Sequence, residues 1–391
     1  MTREGTPELG AAVERLVERG IRRVQVFAWR DLDDPDAGGS EVHADEILAR
    51  WAAAGLSVTH SSSTVDRARE FERRGYVVRQ AYGRHAVLLG NPWRGIRARG
   101  TTDAVIDIWN GVPWWSPIWF RGPRVTWLHH VHGPMWNQSF RPLIARAGSF
   151  VERSVAPKVY RNTTVVTLAE SGRSELVRLG WSPSRVEVVE PGIDARWVPD
   201  GTQRSLTPHV VAVGRLAPVK RYEALLEAIR AARSEVPDLT VSIVGDGPDR
   251  PALEQWIADH DAGRWASLRG RIGSDELRTE YQRAWLVTSA SVAEGWGMVV
   301  TEAAACGTPA VVTDVSGHRA SVWDGRSGVL VADHGALAAA IVRVVRDPSL
   351  HRSLVVGALQ RASVLDWDRA AARHATILAA QSCHSGRSAA G

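Results

Sequence analysis

Short apolar runs alternate with longer amphipathic stretches along nearly the whole chain. In the first half, runs at 24–28, 57–60, 77–80, 86–89, 104–108, 125–129, 164–167 and 186–189 predict short buried strands, and helical patterns at 41–54 and 143–160 lie between them. The stretch 199–208 is rich in Pro, Gly, Ser and Thr and reads as a linker. The rhythm then restarts, with strands predicted at 210–213, 241–244, 267–270, 286–289, 310–313 and 328–331. Helices are predicted at 222–234, 251–260, 276–283, 297–305 and 336–345, and a last amphipathic helix follows Leu365. Strands separated by helix-length segments imply parallel sheets covered on both faces. The pattern therefore predicts an α/β chain of two Rossmann-like, doubly wound domains, 1–198 and 199–365. Ligands are expected at the carboxyl ends of the strands, in a cleft between the domains.

Composition narrows the class. A chain of 391 residues suits two domains, and 44% hydrophobic with 23% charged residues is ordinary for a globular protein. No run of eighteen apolar residues occurs, and the opening MTREGTPELGAAVERLVERG lacks the apolar core of a signal peptide. The two cysteines, Cys306 and Cys383, make no disulfide framework. A cytoplasmic location is expected. Charge is uneven: between residues 67 and 99 stand nine arginines against two glutamates. That stretch could meet an anionic lipid at the inner face of a membrane or an anionic acceptor, or it could be a solvated face. No basic-aromatic motif accompanies it, so nucleic acid is not an expected partner. The chain holds only two lysines, Lys158 and Lys220, so Lys220 suggests a place where a compact point charge is wanted.

The richest segment for chemistry runs Glu294-Gly-Trp-Gly-Met-Val-Val-Thr-Glu302-Ala-Ala-Ala-Cys-Gly-Thr-Pro. Gly295 and Gly297 permit close backbone approach and open a helix near Met298, whose free amides favour an anion. Glu294 precedes that helix and Glu302 lies within it, so they could reach hydroxyls on either side of a phosphate group. The alternative is a capped helix with two solvated glutamates. Other loaded loops also follow strands. Gly214-Arg215 and Lys220 place two cations where a diphosphate could be gripped. Gly245-Asp-Gly247-Pro248 keeps side chains away from the next strand end. Gly38-Gly39-Ser40-Glu41 opens the first-domain helix and could offer amides to a ligand, or be a plain capped loop.

His129-His130-Val-His132 follows a predicted strand. Without Cys or HExxH partners it is not read as zinc, and one imidazole could instead donate to a sugar hydroxyl. Seventeen tryptophans stand against five phenylalanines. Trp109, Trp114, Trp115, Trp119 and Trp136 flank the histidines, and Trp114, Trp115 and Trp136, with His130 and His132, are candidates to line an acceptor site; packing is their other reading. The GxGxxG and GxSxG patterns are absent, which argues against a dinucleotide oxidoreductase and a serine hydrolase.

On these motifs the chain resembles glycosyltransferase family 4 of the GT-B fold. The resemblance rests on Gly214-Arg215 with Lys220, Gly245-Asp-Gly-Pro, Glu294-x7-Glu302 and the Ala-Cys-Gly-Thr-Pro that follows. Gly38-Gly39-Ser40-Glu41, His129, Pro191-Gly-Ile-Asp194 and the tryptophan-bearing C-terminal helix extend it over nearly the whole chain. It implies that the last helix, 366–382, crosses back to the N-terminal domain. It also implies retaining transfer of a hexose-type sugar from a nucleotide-diphosphate sugar, with no metal or other cofactor. The acceptor would be a small molecule, a lipid-linked species or a saccharide.

Carried over residue by residue, Arg215 and Lys220 would stabilise the leaving diphosphate and Glu302 would bind ribose hydroxyls. Glu294 would contact the donor sugar, with His129 near the reacting centre. Gly39 would approach the donor through its backbone beside Gly38, and Arg271-Ile272 would hold the base. Gly214, Gly245, Gly247, Gly295, Trp296, Gly297 and Met298 complete the donor-binding set. The loop after Asp314 reads Val-Ser-Gly-His318-Arg319-Ala, without the acidic residue common in the family. A noncatalytic sugar-binding protein and a nucleotide-sugar epimerase of the same fold are the competing readings.

Overall fold

The structure, a computed structural model, describes residues 6–109, 111–129, 131, 133 and 142–385. The chain divides into two compact units, Met1–Gly192 with Asp366–Gly391, and Ile193–Leu365. The stretch 193–198 therefore goes with the second unit, not with the first as its sequence suggests.

Unit 1 holds an eight-stranded sheet in the order β3-β4-β2-β1-β5-β6-β7-β8. Its strands are β1 Arg23–Phe27, β2 Ser57–Ser62, β3 Arg69–Arg73, β4 Tyr76–Gln80, β5 Ala104–Ile108, β6 Arg124–Trp127, β7 Thr164–Thr167 and β8 Val186–Val188. Every pairing is parallel except β3 with β4, an edge hairpin whose Arg/Glu-rich first strand carries no apolar run to announce it. Helices α1 Pro7–Glu18, α2 Gly39–Ala53, α3 Val87–Arg97, α4 Ser116–Trp119, α5 Pro142–Phe150, α6 Ala156–Val159 and α7 Glu170–Arg178 connect or flank the strands. A π-helical turn, Val151–Val155, joins α5 to α6 beside Pro157, which cannot donate an intrahelical bond.

The apolar run 86–89, expected as a strand, instead opens α3. A run of four apolar residues does not fix a period. Val87, Asn91 and Gly95 bury one helical stripe, and the Asn91 amide donates to the Ser61 carbonyl at 3.2 Å.

Unit 2 is a six-stranded sheet in the order β11-β10-β9-β12-β13-β14, parallel throughout. The strands are β9 His209–Val213, β10 Thr240–Val244, β11 Ala266–Gly270, β12 Leu286–Ser289, β13 Ala310–Thr313 and β14 Gly328–Val331. Helices α8 Tyr222–Ala232, α9 Arg250–Asp259, α10 Ser274–Arg283, α11 Met298–Ala305, α12 Ser316–Ser321, α13 Leu337–Arg346 and α14 Pro348–Ser363 surround it. Alternate strand residues feed opposite faces. Val210 and Ala212 pack with Leu225, Ile229 and Ile341, whereas Val211 packs with Tyr281, Val300 and Ala303. This two-sided burial makes the central strands β9 and β13 nearly unbroken apolar runs, whereas the edge strand β11, Ala-Ser-Leu-Arg-Gly, is buried on alternate residues only.

The last helix, α15 Trp367–Ser385, packs on unit 1 against α1 and α2. The Trp51 indole donates to the Ala371 carbonyl at 3.0 Å, and Arg50 pairs with Asp368 at 2.7 Å. Gly192 is held there by close approach, since an added Cβ would lie 2.2 Å from the Trp367 backbone nitrogen. No helix among the described residues is long and apolar enough to cross a membrane.

Candidate active site

In unit 2 the loaded loops all leave carboxyl ends of strands. After β9 the chain passes Gly214 and Arg215, makes a 3-10 turn at Pro218–Lys220, and enters α8 through Arg221 in the left-handed region (φ 54°). That turn sets Lys220 facing the loop after β12. Its Nζ donates to Glu294 Oε1 at 2.5 Å, and Ser291 Oγ donates to the same oxygen at 2.8 Å. Burial alone would push the Glu294 carboxyl up. The Lys220 charge, and next His318, outweigh it and hold Glu294 below the ordinary carboxylate value. Glu294 is thus an ionised carboxylate locked to the lysine. Arg215 is exposed and faces Asp249 electrostatically.

Beyond Glu294, Gly297 takes φ 88° as N-cap of α11, so the helix starts at Met298 as its glycine-bracketed sequence requires. Glu302 lies half-buried on that helix and accepts from the Tyr281 hydroxyl at 3.1 Å. Burial pushes its carboxyl up to about 7, only partly offset by Tyr281 and Arg196. The two glutamates therefore differ in kind, one held charged and one poised near neutrality. Trp296, expected among the donor contacts, is buried with Arg361 lying 5.4 Å over its ring. Its indole faces the interior.

The glycines after β9 and β10 have a reason that spacing alone does not reveal. A Cβ on Gly245 would stand 1.9 Å from the Gly214 carbonyl oxygen, and one on Gly247 would stand 2.3 Å from that of Leu216. The two loops pack backbone to backbone, stitched by Leu216 N–H to Asp246 O and Asp249 N–H to Leu216 O, both 3.0 Å. Gly214 takes φ 148°, and a Cβ there would lie 3.1 Å from the Tyr222 hydroxyl. At the end of β11, Arg271 is exposed and Ile272 packs partly against the core.

Sequence reasoning missed His318 as a member of this site. It is buried on α12, and its Nδ1 lies 2.7 Å from the Thr313 carbonyl, so Nδ1 carries a proton and donates. Its edge closes on the turn before α11, with Cδ2 3.2 Å from where a Gly297 Cβ would stand. Gly317 lets this happen, because a Cβ there would meet the Glu294 carbonyl at 2.6 Å. Burial lowers the His318 pKa, although Glu294 opposes this.

Unit 1 places its candidates less simply. His129 is buried at the end of β6, with Nε2 3.1 Å from His43 Nδ1. His43 packs edge-on to Trp127, Trp367 and His374, at ring-centroid distances of 5.3, 5.7 and 5.2 Å. The His129 ring therefore adjoins, through His43, a buried aromatic cluster that includes Trp367 and His374 of α15. Trp114 is likewise core: it is buried, and its indole donates to Ile108 O at 2.8 Å. Trp109 and Trp119 are buried with it, and Trp115 is half-buried. His130, His132 and Trp136 lie outside the described residues. Gly38 caps α2, but its N–H is already taken by the Glu41 carboxylate at 2.7 Å, so that amide is not offered to a ligand. Gly39 is the first residue of the helix. Among the described residues no group of three His, Cys, Asp or Glu could hold a metal ion.

Two doubly wound sheets, with paired carboxylates and cations at the strand ends of the second, define the class of GT-B sugar transferases. The chain belongs to the glycosyltransferases of this class: the Glycosyltransferase Family 4 model matches residues 37–197, and the Glycosyl transferases group 1 model matches 207–347. It is similar to D-inositol 3-phosphate glycosyltransferase of Salinispora arenicola, 37% identical over 48% of this chain and 48% of the relative. The corresponding Kribbella flavida protein is 28% identical over 90% of this chain and 94% of its own length. The match thus spans about half of the first of these relatives and nearly all of the second.

Among solved structures, sucrose-phosphate synthase from Thermosynechococcus elongatus matches with a TM-score of 0.76 and 20% identity, over 90% of this chain and 97% of that one. Anabaena HepE, solved with UDP and glucose, matches with a TM-score of 0.71 and 17% identity, over 92% of this chain and all of that one. These likenesses give the GT-B fold.

Proposed function

We propose that this chain is a retaining hexosyltransferase that moves a hexose-type sugar from a nucleotide-diphosphate sugar to a hydroxyl acceptor, without a metal ion or other cofactor. The observation that carries the proposal is the arrangement around the start of α11: Glu294 in the preceding turn paired with Lys220 at 2.5 Å, and Glu302 on the helix itself with its carboxyl pushed up to about 7. In this reading the donor's anomeric C–O bond breaks and its electron pair leaves on the diphosphate. Arg215, Lys220 and the amides at the start of α11 take up that charge. The acceptor oxygen bonds to the anomeric carbon, and its proton passes to the departing diphosphate oxygen. Glu302 receives ribose hydroxyls, while Glu294 orients Lys220 and meets the sugar. With two cations and a helix start supplying positive charge, the step needs no divalent ion.

The names of the relatives and the UDP in the Anabaena structure support a nucleotide-sugar donor and make UDP-hexoses the first to try. Small-molecule, lipid-linked and saccharide acceptors all accord with the site. The test is a panel of nucleotide sugars. One or more should raise the melting temperature by selective binding to the folded state and should release nucleoside diphosphate when an acceptor is present. Binding without transfer or hydrolysis would leave a sugar-binding protein, and an epimer formed from donor alone would make the chain an epimerase.

A further inference from the structure

The solvent side of α3 is apolar where a surface helix should be polar. Its inward stripe is Val87, Asn91 and Gly95, and Gly95 abuts Trp119 of α4 so closely that an added Cβ would lie 2.4 Å from that ring. The opposite stripe carries Leu89 at 82% exposure and Trp93 at 57%, with Ile96 exposed one turn on. An amphipathic helix of a soluble domain has one apolar stripe, and this one has two. Tyr82 is exposed beside the start of the helix and lines a shallow apolar groove with Ala86, Leu89, Gly90 and Trp93.

The neighbouring connections repeat the pattern. On α4, Ile118 is 70% exposed. On α5, Leu143 is 82% exposed and Phe150 62%, with Ile144 exposed between them. The connections through α3, α4 and α5 all advance in one direction across the sheet, from β4 to β5, β6 and β7, whereas the one through α2 runs the other way. Right-handed crossovers therefore put α3, α4 and α5 on one face and α2 on the other. Each of the three begins after the carboxyl end of a parallel strand, the edge where this fold meets its ligands.

Charge identifies what covers this face. Much of the arginine excess between residues 67 and 99 is neutralised locally. Arg69 pairs with Asp33, Arg73 with Asp31 and Asp33, Arg74 with Asp45 and Glu46, Arg79 with Glu70, and Arg84 with Asp34 and Asp36. Arg97 and Arg99 are exposed at the end of α3 with no ion pair among the described residues, and Arg146 is exposed on α5. The Arg97 guanidinium sits 5.4 Å over the Trp93 ring and that of Arg94 sits 5.6 Å over Tyr82. Aromatic rings capped by arginines beside bare aliphatic side chains are the composition of a helix lying in the headgroup region of a bilayer.

We infer that unit 1 docks on an anionic lipid bilayer through the α3–α4–α5 face, with Leu89, Trp93 and Ile118 entering the acyl boundary and Arg97 and Arg99 meeting lipid phosphates. Docking stands on its own observations. That the face brings the chain to a lipid-linked acceptor rests on the transferase reading.

The test is sedimentation of the full chain with vesicles of phosphatidylcholine alone or of phosphatidylcholine and phosphatidylglycerol in equal parts. The mixed vesicles should bind at least about tenfold more tightly, and added salt should weaken them. Leu89→Glu with Trp93→Glu should abolish binding. Arg97→Glu with Arg99→Glu should lower it at least about twentyfold, since each basic residue near such a surface is worth about fivefold. Both double variants alter exposed residues, so melting temperature and donor turnover with a soluble acceptor should stay as in the parent chain. No affinity for the mixed vesicles, or binding unchanged in both variants, would overturn the inference. So would a concentration-dependent dimer, dissolved by Leu89→Glu with Trp93→Glu, in a chain that ignores vesicles. Docking that persists while no donor is turned over would remove the transferase reading alone.

Discussion

Glu302 is half-buried, with its carboxyl pushed up to about 7 by the protein around it. If it receives ribose hydroxyls, its ionised form is the stronger acceptor. Nucleoside diphosphate affinity should therefore rise from pH 6 to pH 8, and calorimetric titration of Glu302→Gln should show that slope gone. An unchanged slope would place the titrating group elsewhere. The sequence makes Glu302 and Glu294 visible as a pair, but not their difference. That difference comes from Lys220, which reaches Glu294 from the turn after β9, while Glu302 has only the Tyr281 hydroxyl of α10 against its burial. Lys220 stands out because the chain otherwise uses arginine, yet its partner lies 74 residues away and only the fold joins them. His318 carries no local motif and is legible only once α12 is seen packed on the Glu294–Gly297 turn. His129 shows the complementary case: its place at a strand end is readable, but its partner His43 on α2 is set by the fold.

Elements were more legible than side-chain directions, for a physical reason. A strand buried on both faces advertises itself by an apolar run, as β9 and β13 do, and the strands of unit 2 lie where the sequence places them. Strand β3, made of Arg-Glu-Phe-Glu-Arg at a sheet edge, has no such run, and 86–89 has one but is helical. The family resemblance implies the docking of α15, whereas the contacts that hold it are set by packing against α1 and α2. His374 on this helix is buried against Trp127 at a centroid distance of 4.7 Å, and its two ring nitrogens find no partner among the described residues.

Burial lowers the pKa of His43, and that of His374 to about 3, where the Arg373 charge adds a smaller push. Both imidazoles are thus neutral in the folded chain, while the unfolded chain takes up protons near 6.5. Below that value the unfolded state binds more protons. The stability contributed by these histidines is whole above about pH 6.5 and drains away as pH falls toward 3. The melting temperature should fall less steeply between pH 7 and pH 4 in His374→Leu than in the parent chain. Parallel curves would mean that this cluster does not govern acid sensitivity.

At the scale of the whole molecule, the restart of the strand–helix rhythm near residue 209 made the two-domain GT-B architecture readable. Unit 2 holds motifs that the fold brings together, while the histidines and tryptophans of unit 1 are largely core or lie outside the described residues. The account therefore stands or falls on the charges at the start of α11. The most direct measurement is steady-state turnover of the best donor by the parent chain and by Lys220→Ala, alongside their melting temperatures. The account predicts a kcat lower by roughly 100- to 1000-fold, the cost of losing one preorganised contact to the leaving charge, in a variant that remains folded. A folded Lys220→Ala chain that turns donor over at the parental rate would contradict it.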